Sequence, residues 1–97
     1  MKCPSSPRQR RKQAGAWLRG LREEAGLTQL DLANRLGFNY YAFVSQVETG
    51  FSRVPTDKME AWARSVGVEP RPFVQRLLSF YEPELHRVLY EQKSCQS

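Results

Sequence analysis

Residues 28–50 read TQLDLANRLGFNYYAFVSQVETG. Thr28 is a good helix N-cap, and Asp31 three residues on makes a weak form of capping box. The segment Gln29–Leu36 then turns Leu30, Ala33 and Leu36, with Leu32 alongside, toward a core. Gly37 stops that helix, because a tight turn needs a residue that enters positive φ at little cost. Phe38 and Asn39 make the turn, and Asn39 is placed to cap the next helix. The helix that follows, Tyr40–Thr49, the third in the chain, carries Tyr40, Val44 and Val47 on one face with Phe43 at its edge. Its other face holds Tyr41, Ala42, Ser45, Gln46 and Thr49, and Gly50 closes it. Ala33, four positions before Gly37, is small enough to let the two helices cross closely.

The pattern continues outward. Upstream, Trp17, Leu18, Leu21 and Ala25 recur at spacings of three and four, predicting a helix from Gln13 that ends at Gly26. Residues 1–12 read as a flexible arm: Pro4, Ser5, Ser6 and Pro7 resist regular structure, and the run Arg8–Lys12 repels itself. Downstream, Pro55 and Thr56 open a helix with Met59, Trp62, Ala63 and Val66 inside. Another begins near Pro70 and runs to Tyr81, burying Phe73, Leu77 and either Leu78 or Phe80. Pro83 restarts the chain into a last amphipathic stretch with Leu85, Val88 and Leu89 on one side. No segment alternates with period two, so the fold class is all-α.

Composition narrows the possibilities. Ninety-seven residues make one domain with a modest core. No run of about 18 apolar residues exists, so no membrane span is expected. The N-terminus has no apolar h-region, so no secretory signal is expected either. Cys3 and Cys95 lie near the two ends, where a bridge would staple only tails, so a reduced, intracellular chain is expected. The net charge is +5, but it is uneven. Residues 1–22 hold seven bases and no acid, whereas residues 23–97 hold eight bases against ten acids. Such asymmetry suggests a polyanionic partner, nucleic acid or an acidic membrane surface.

Two short helices joined by a tight glycine turn form a helix-turn-helix, whose second helix lies in the DNA major groove. The segment Leu18–Glu69, about half the chain, resembles a Cro/CI-type helix-turn-helix domain, also called the XRE family. The match is carried by Leu21-Arg22-Glu23-Glu24-Ala25-Gly26-Leu27-Thr28-Gln29, by Leu32-Ala33 and Leu36-Gly37, and by Val44-Ser45-Gln46-Val47-Glu48-Thr49-Gly50. Trp62-Ala63 and Val66-Gly67-Val68 extend it. The stretch Phe38–Gly50 is one residue longer than the family's common pattern. The extra residue belongs to the turn or to the start of the third helix, because Val44 and Val47 must stay buried. The resemblance implies a lambda-repressor-like five-helix domain, here with an extra C-terminal helix. Residues 1–12 form the arm, 13–69 the core of four helices, 70–92 the C-terminal helices and 93–97 a tail.

Gln46 is the first choice for reading a base, since glutamine makes a bidentate pair with adenine N6 and N7. Ser45, Ala42, Tyr41 and Thr49 share its face as further candidates, although Tyr41 could equally pack on the second helix. The resemblance implies phosphate contacts from Thr28 and Gln29 at the start of the second helix. Asn39 in the turn and Tyr40 at the start of the third helix are further phosphate candidates, and Arg53, in the loop after that helix, either contacts the backbone or is a solvated loop arginine. The resemblance also implies a structural ion pair between Arg22 and Glu48, against the alternative of two independent surface charges. The stretch Asn39–Thr49 contains no Lys or Arg. Electrostatic attraction is therefore assigned to Arg8, Arg10, Arg11 and Lys12, which either meet DNA phosphates or form a solubilising tail. The stretch Ser79–Glu91 either covers its own domain or makes a symmetric dimer contact.

The expected function is a sequence-specific regulator of transcription, most simply a repressor. It would bind a near-palindromic operator on double-stranded DNA as a homodimer, in a bacterial or phage cytoplasm. The alternative is an antitoxin-like DNA-binding module that also binds a partner protein. No catalytic residue, metal site, cofactor or small-molecule ligand is expected, since His86 is the single histidine and the cysteines lack metal spacing.

Overall fold

The computed structural model describes residues 6–91, all-α with no strand among them. In chain order the helices are α1 (Pro7–Glu24), α2 (Gln29–Leu36), α3 (Ala42–Thr49), α4 (Met59–Ser65), α5 (Pro70–Tyr81) and α6 (Pro83–His86). A 3₁₀ turn, Thr56–Lys58, leads into α4, and a π-helical turn, Arg87–Glu91, comes after α6. Cys3, Cys95, residues 1–5 of the expected arm and the tail at 93–97 lie outside the described residues.

The basic run is not an extended arm. Ser6 caps α1, its hydroxyl accepting from the Gln9 N–H at 3.1 Å while the Gln9 side chain accepts from the Ser6 N–H at 3.3 Å. Pro7 occupies the first helical position, where its missing N–H costs nothing. Serine and proline, which resist regular structure within a helix, are here its start signal. Repulsion along the run is relieved by acceptors far away in sequence. The Arg10 Nε donates to the Phe80 carbonyl and the Arg11 Nε to the Gly50 carbonyl, each at 3.1 Å. No boundary falls at residue 12.

The core gathers Leu18 from α1, Leu32, Ala33 and Leu36 from α2, Val44 and Val47 from α3, Met59, Trp62 and Ala63 from α4, and Phe73, Leu77 and Tyr81 from α5. Two close approaches position α1. A Cβ at Gly15 would meet the backbone carbonyls of Val47 and Glu48, so α1 and α3 touch backbone to backbone. One at Gly50, whose φ is 87°, would meet Lys12.

Several local expectations change. Leu30 is half exposed rather than buried, because the inward stripe of α2 centres on Leu32, Ala33 and Leu36 and turns Leu30 to the flank. Tyr40 does not join Val44 and Val47: α3 starts at Ala42, so Tyr40 lies in the turn at 74% exposure. Phe38 takes the apolar role there, its ring 5.0 Å from Phe43 and edge-on. Asn39 does not cap α3; Tyr41 stands at the N-cap without a side-chain bond. In α5 the third buried position is Tyr81, one helical turn beyond Leu77, while Leu78 and Phe80 are half-buried. Leu85, Val88 and Leu89 do not cover the domain, all being exposed.

Candidate nucleic-acid interface

Helix α2 begins as its sequence dictates. The Thr28 hydroxyl accepts from the Asp31 N–H at 3.0 Å, and the Asp31 carboxylate accepts from the Thr28 N–H at 2.9 Å. The bond from the Thr28 backbone N–H is the main cause that holds the Asp31 carboxyl below its ordinary range. Gly37 ends the helix at φ 81°, and the Phe38 N–H returns to the Ala33 carbonyl at 2.9 Å. The chain then passes through Asn39, Tyr40 and Tyr41 into α3.

The orientation of α3 is set by a buried polar cluster. Arg22 Nε donates to Glu48 Oε2 at 2.7 Å and Nη2 donates to Oε1 at 3.1 Å, with both side chains under 10% exposed. The remaining Arg22 nitrogen, Nη1, donates to the Leu27 carbonyl at 2.7 Å. The Glu48 hydrogen bond is the main cause that raises the Arg22 pKa above its ordinary value. Gln29 completes the cluster, its amide nitrogen donating to Glu48 Oε1 at 3.1 Å. Three elements, α1, the start of α2 and the end of α3, are thereby fixed to one carboxylate. A bidentate guanidinium–carboxylate pair imposes direction as well as attraction.

The outward face of α3 presents Tyr41, Ala42, Gln46 and Thr49, all exposed, with Ser45 half-buried beside them. The Thr49 hydroxyl is turned back to the Gln46 carbonyl at 3.2 Å. Asn39 and Tyr40 extend this surface across the turn. Together with Phe38, Ala42, Phe43, Gln46, Pro55, Asp57 and Lys58 they line a groove of about 630 Å³. No cation lies on α3 itself. The chemistry offered is amide, hydroxyl and methyl, groups that can distinguish base edges without a formal positive charge.

Cations flank this face instead. Arg8 and Lys12 are exposed on the first two turns of α1, and Lys12 rests against Gly50 at the end of α3. Arg10 and Arg11 reach the backbone carbonyls named above. Arg53 lies in the loop after α3, its Nη1 donating to Glu82 Oε2 at 3.0 Å and its guanidinium 4.6 Å over the Tyr81 ring.

A family model described as a helix-turn-helix domain matches residues 13–82, from α1 to the elbow after α5. The chain belongs to that family. A comparison with curated proteins finds no match. Membership supports DNA as partner of this helix-turn-helix domain. Within that motif α3 is the second helix, the position that lies in the major groove in DNA-bound helix-turn-helix proteins.

Three residues of this region lie outside the sequence-based site, and the structure gives two of them, Lys58 and Gly15, a structural role. Phe51 is 68% exposed directly after α3. Its isolation from any apolar pattern is its signal. Lys58 spans from the Leu36 carbonyl, at 3.3 Å, to the Phe38 ring, so it braces the turn from α4's side. Gly15 stands mid-helix where no turn is needed, a sign of close approach that sequence alone offers. Among the described residues no three His, Cys, Asp or Glu side chains form a group that could hold a metal, and no helix is long and apolar enough to cross a membrane.

Proposed function

We propose that this helix-turn-helix domain is a sequence-specific transcriptional regulator of the Cro/CI type, most simply a repressor. Gln46 reads adenine, a bidentate contact that discriminates by about 1–3 kcal/mol. Ala42 meets a thymine methyl, and Ser45, Tyr41 and Thr49 contact neighbouring base edges. Thr28, Gln29, Asn39, Tyr40 and Arg53 meet phosphates along the rim, with the free N–H groups at the start of α2 adding to them. Arg8, Arg10, Arg11 and Lys12 supply long-range attraction from the first turns of α1. The observation that carries this reading is the pairing of an uncharged, exposed α3 face with the buried Arg22–Glu48–Gln29 cluster behind it. A reading head needs outward chemistry that distinguishes bases and an inward anchor that fixes its angle.

The regulator acts as a homodimer in the cytoplasm. Two copies of α3 meet half-sites about 34–36 Å apart on a near-palindromic operator. It performs no catalysis and takes no cofactor or small-molecule ligand. The second reading, an antitoxin-like module, is favoured by one observation. Leu85, Val88, Leu89 and Tyr90 leave an apolar face uncovered, as a protein-binding segment would.

Selection of bound duplexes from a random pool tests the proposal. An enriched near-palindrome with half-sites one helical turn apart is expected. Enrichment of nothing would contradict DNA reading, and a lone half-site would contradict the dimer.

A further inference from the structure

Three chain segments converge beside the end of α3: residues 10–12 of α1, the loop 50–54, and residues 80–82 at the end of α5. Arg10 and Arg11 donate to the Phe80 and Gly50 carbonyls. The Val54 N–H donates to the Tyr81 hydroxyl at 3.1 Å, and Val54 and Tyr81 are both buried. Burial is the main cause that raises the Tyr81 pKa, so its hydroxyl stays protonated. Tyr81 is thus a fixed platform, and Arg53 lies over it with one nitrogen on Glu82.

The Arg53–Glu82 pair differs from the buried pair at α3. Its side chains are 42% and 48% exposed, so solvent and ligands reach it. A carboxylate and a phosphate offer an arginine the same acceptor geometry. Glu82 is also the residue at which helical backbone breaks between α5 and α6, at φ −136° and ψ 69°.

We propose that Glu82 is an internal stand-in for a DNA phosphate and a positioning residue for Arg53. It neutralises Arg53 in the free protein, keeps the guanidinium on the Tyr81 platform, and yields it to a phosphate when α3 docks. Binding is weakened by the competition, and DNA contact is coupled to the elbow that carries α6. By linkage, whatever draws Glu82 away from Arg53 strengthens DNA binding to the same degree. The inference rests on the DNA reading above.

Titrations of the full chain with a short random-sequence duplex, over a series of salt concentrations, test it. Glu82→Gln should tighten binding about two- to fivefold, the range of an exposed ion pair. It should also steepen the logarithmic salt slope by up to about one, because no released Glu82 carboxylate then takes up a cation as Arg53 meets its phosphate. Glu84→Gln makes the same charge change two residues on, at a carboxylate paired with Arg87, and should change neither. In an Arg53→Ala background, Glu82→Gln should lose both effects. The proposal is overturned if Glu82→Gln behaves as the parent, if Glu84→Gln gives an equal gain, or if the gain survives without Arg53. Absence of any parent binding at low salt would overturn the DNA reading and this inference with it. Parent binding with an inert Glu82→Gln would overturn this inference alone.

Discussion

At the α1–α3 junction, Gly15 brings two helix backbones into contact, and Arg22, Glu48 and Gln29 satisfy one another behind it. Beyond Glu82, Leu85, Val88, Leu89 and Tyr90 stand about half exposed on a short helix and a π turn. Both regions are amphipathic in sequence. One finds its complement within the described chain, and the other does not. The junction therefore carries the stability and the angle of α3. The C-terminal segment, with its apolar side chains half exposed, should contribute little to either.

Substitutions should separate the two regions by the size of their effect. Arg22→Ala leaves the Glu48 carboxylate buried with only the Gln29 amide. It should cost about 3–5 kcal/mol in denaturant unfolding, the penalty for an uncompensated buried charge. A loss under about 1 kcal/mol, the range of an exposed pair, would make it no anchor. Gly15→Ala inserts a methyl group against the Glu48 carbonyl, and α1 must move off α3. About 1–3 kcal/mol is expected, as for overpacking. Gly20→Ala, where a Cβ meets nothing, is the matched control and should be neutral or slightly stabilising. At the other end, Val88→Ser should change stability by less than about 0.5 kcal/mol, as at an ordinary surface site. A loss like that of Gly15→Ala would mean that the C-terminal segment belongs to the core after all.

The same contrast explains what is legible in the sequence. Contacts between near neighbours are. The Thr28–Asp31 box, the Gly37 turn and the Met59-Trp62-Ala63-Val66 stripe follow from spacing alone. Arg22 and Glu48 are 26 residues apart, and only the family resemblance brings them together in advance. The start of α1 is hidden because its evidence is non-local. Ser6 and Pro7 signal a helix start or a break equally well. What decides between them is acceptors at Gly50 and Phe80, 39 and 70 residues away. Periodicity places Tyr40 inside because an apolar pattern carries no information on where an extended turn stops. Arg53 reads as a free phosphate ligand, since nothing near it in sequence announces Glu82.

The central claim is that the uncharged face of α3 reads bases while cations outside it supply general affinity. Binding of Gln46→Ala to the selected operator and to a random-sequence duplex, measured at one salt concentration, tests it most directly. The variant should lose about five- to 150-fold in preference for the operator, the equivalent of one bidentate base contact. Its affinity for the random duplex should stay at the parent's value. A folded variant that keeps the parent's preference, or loses both affinities equally, would contradict the account.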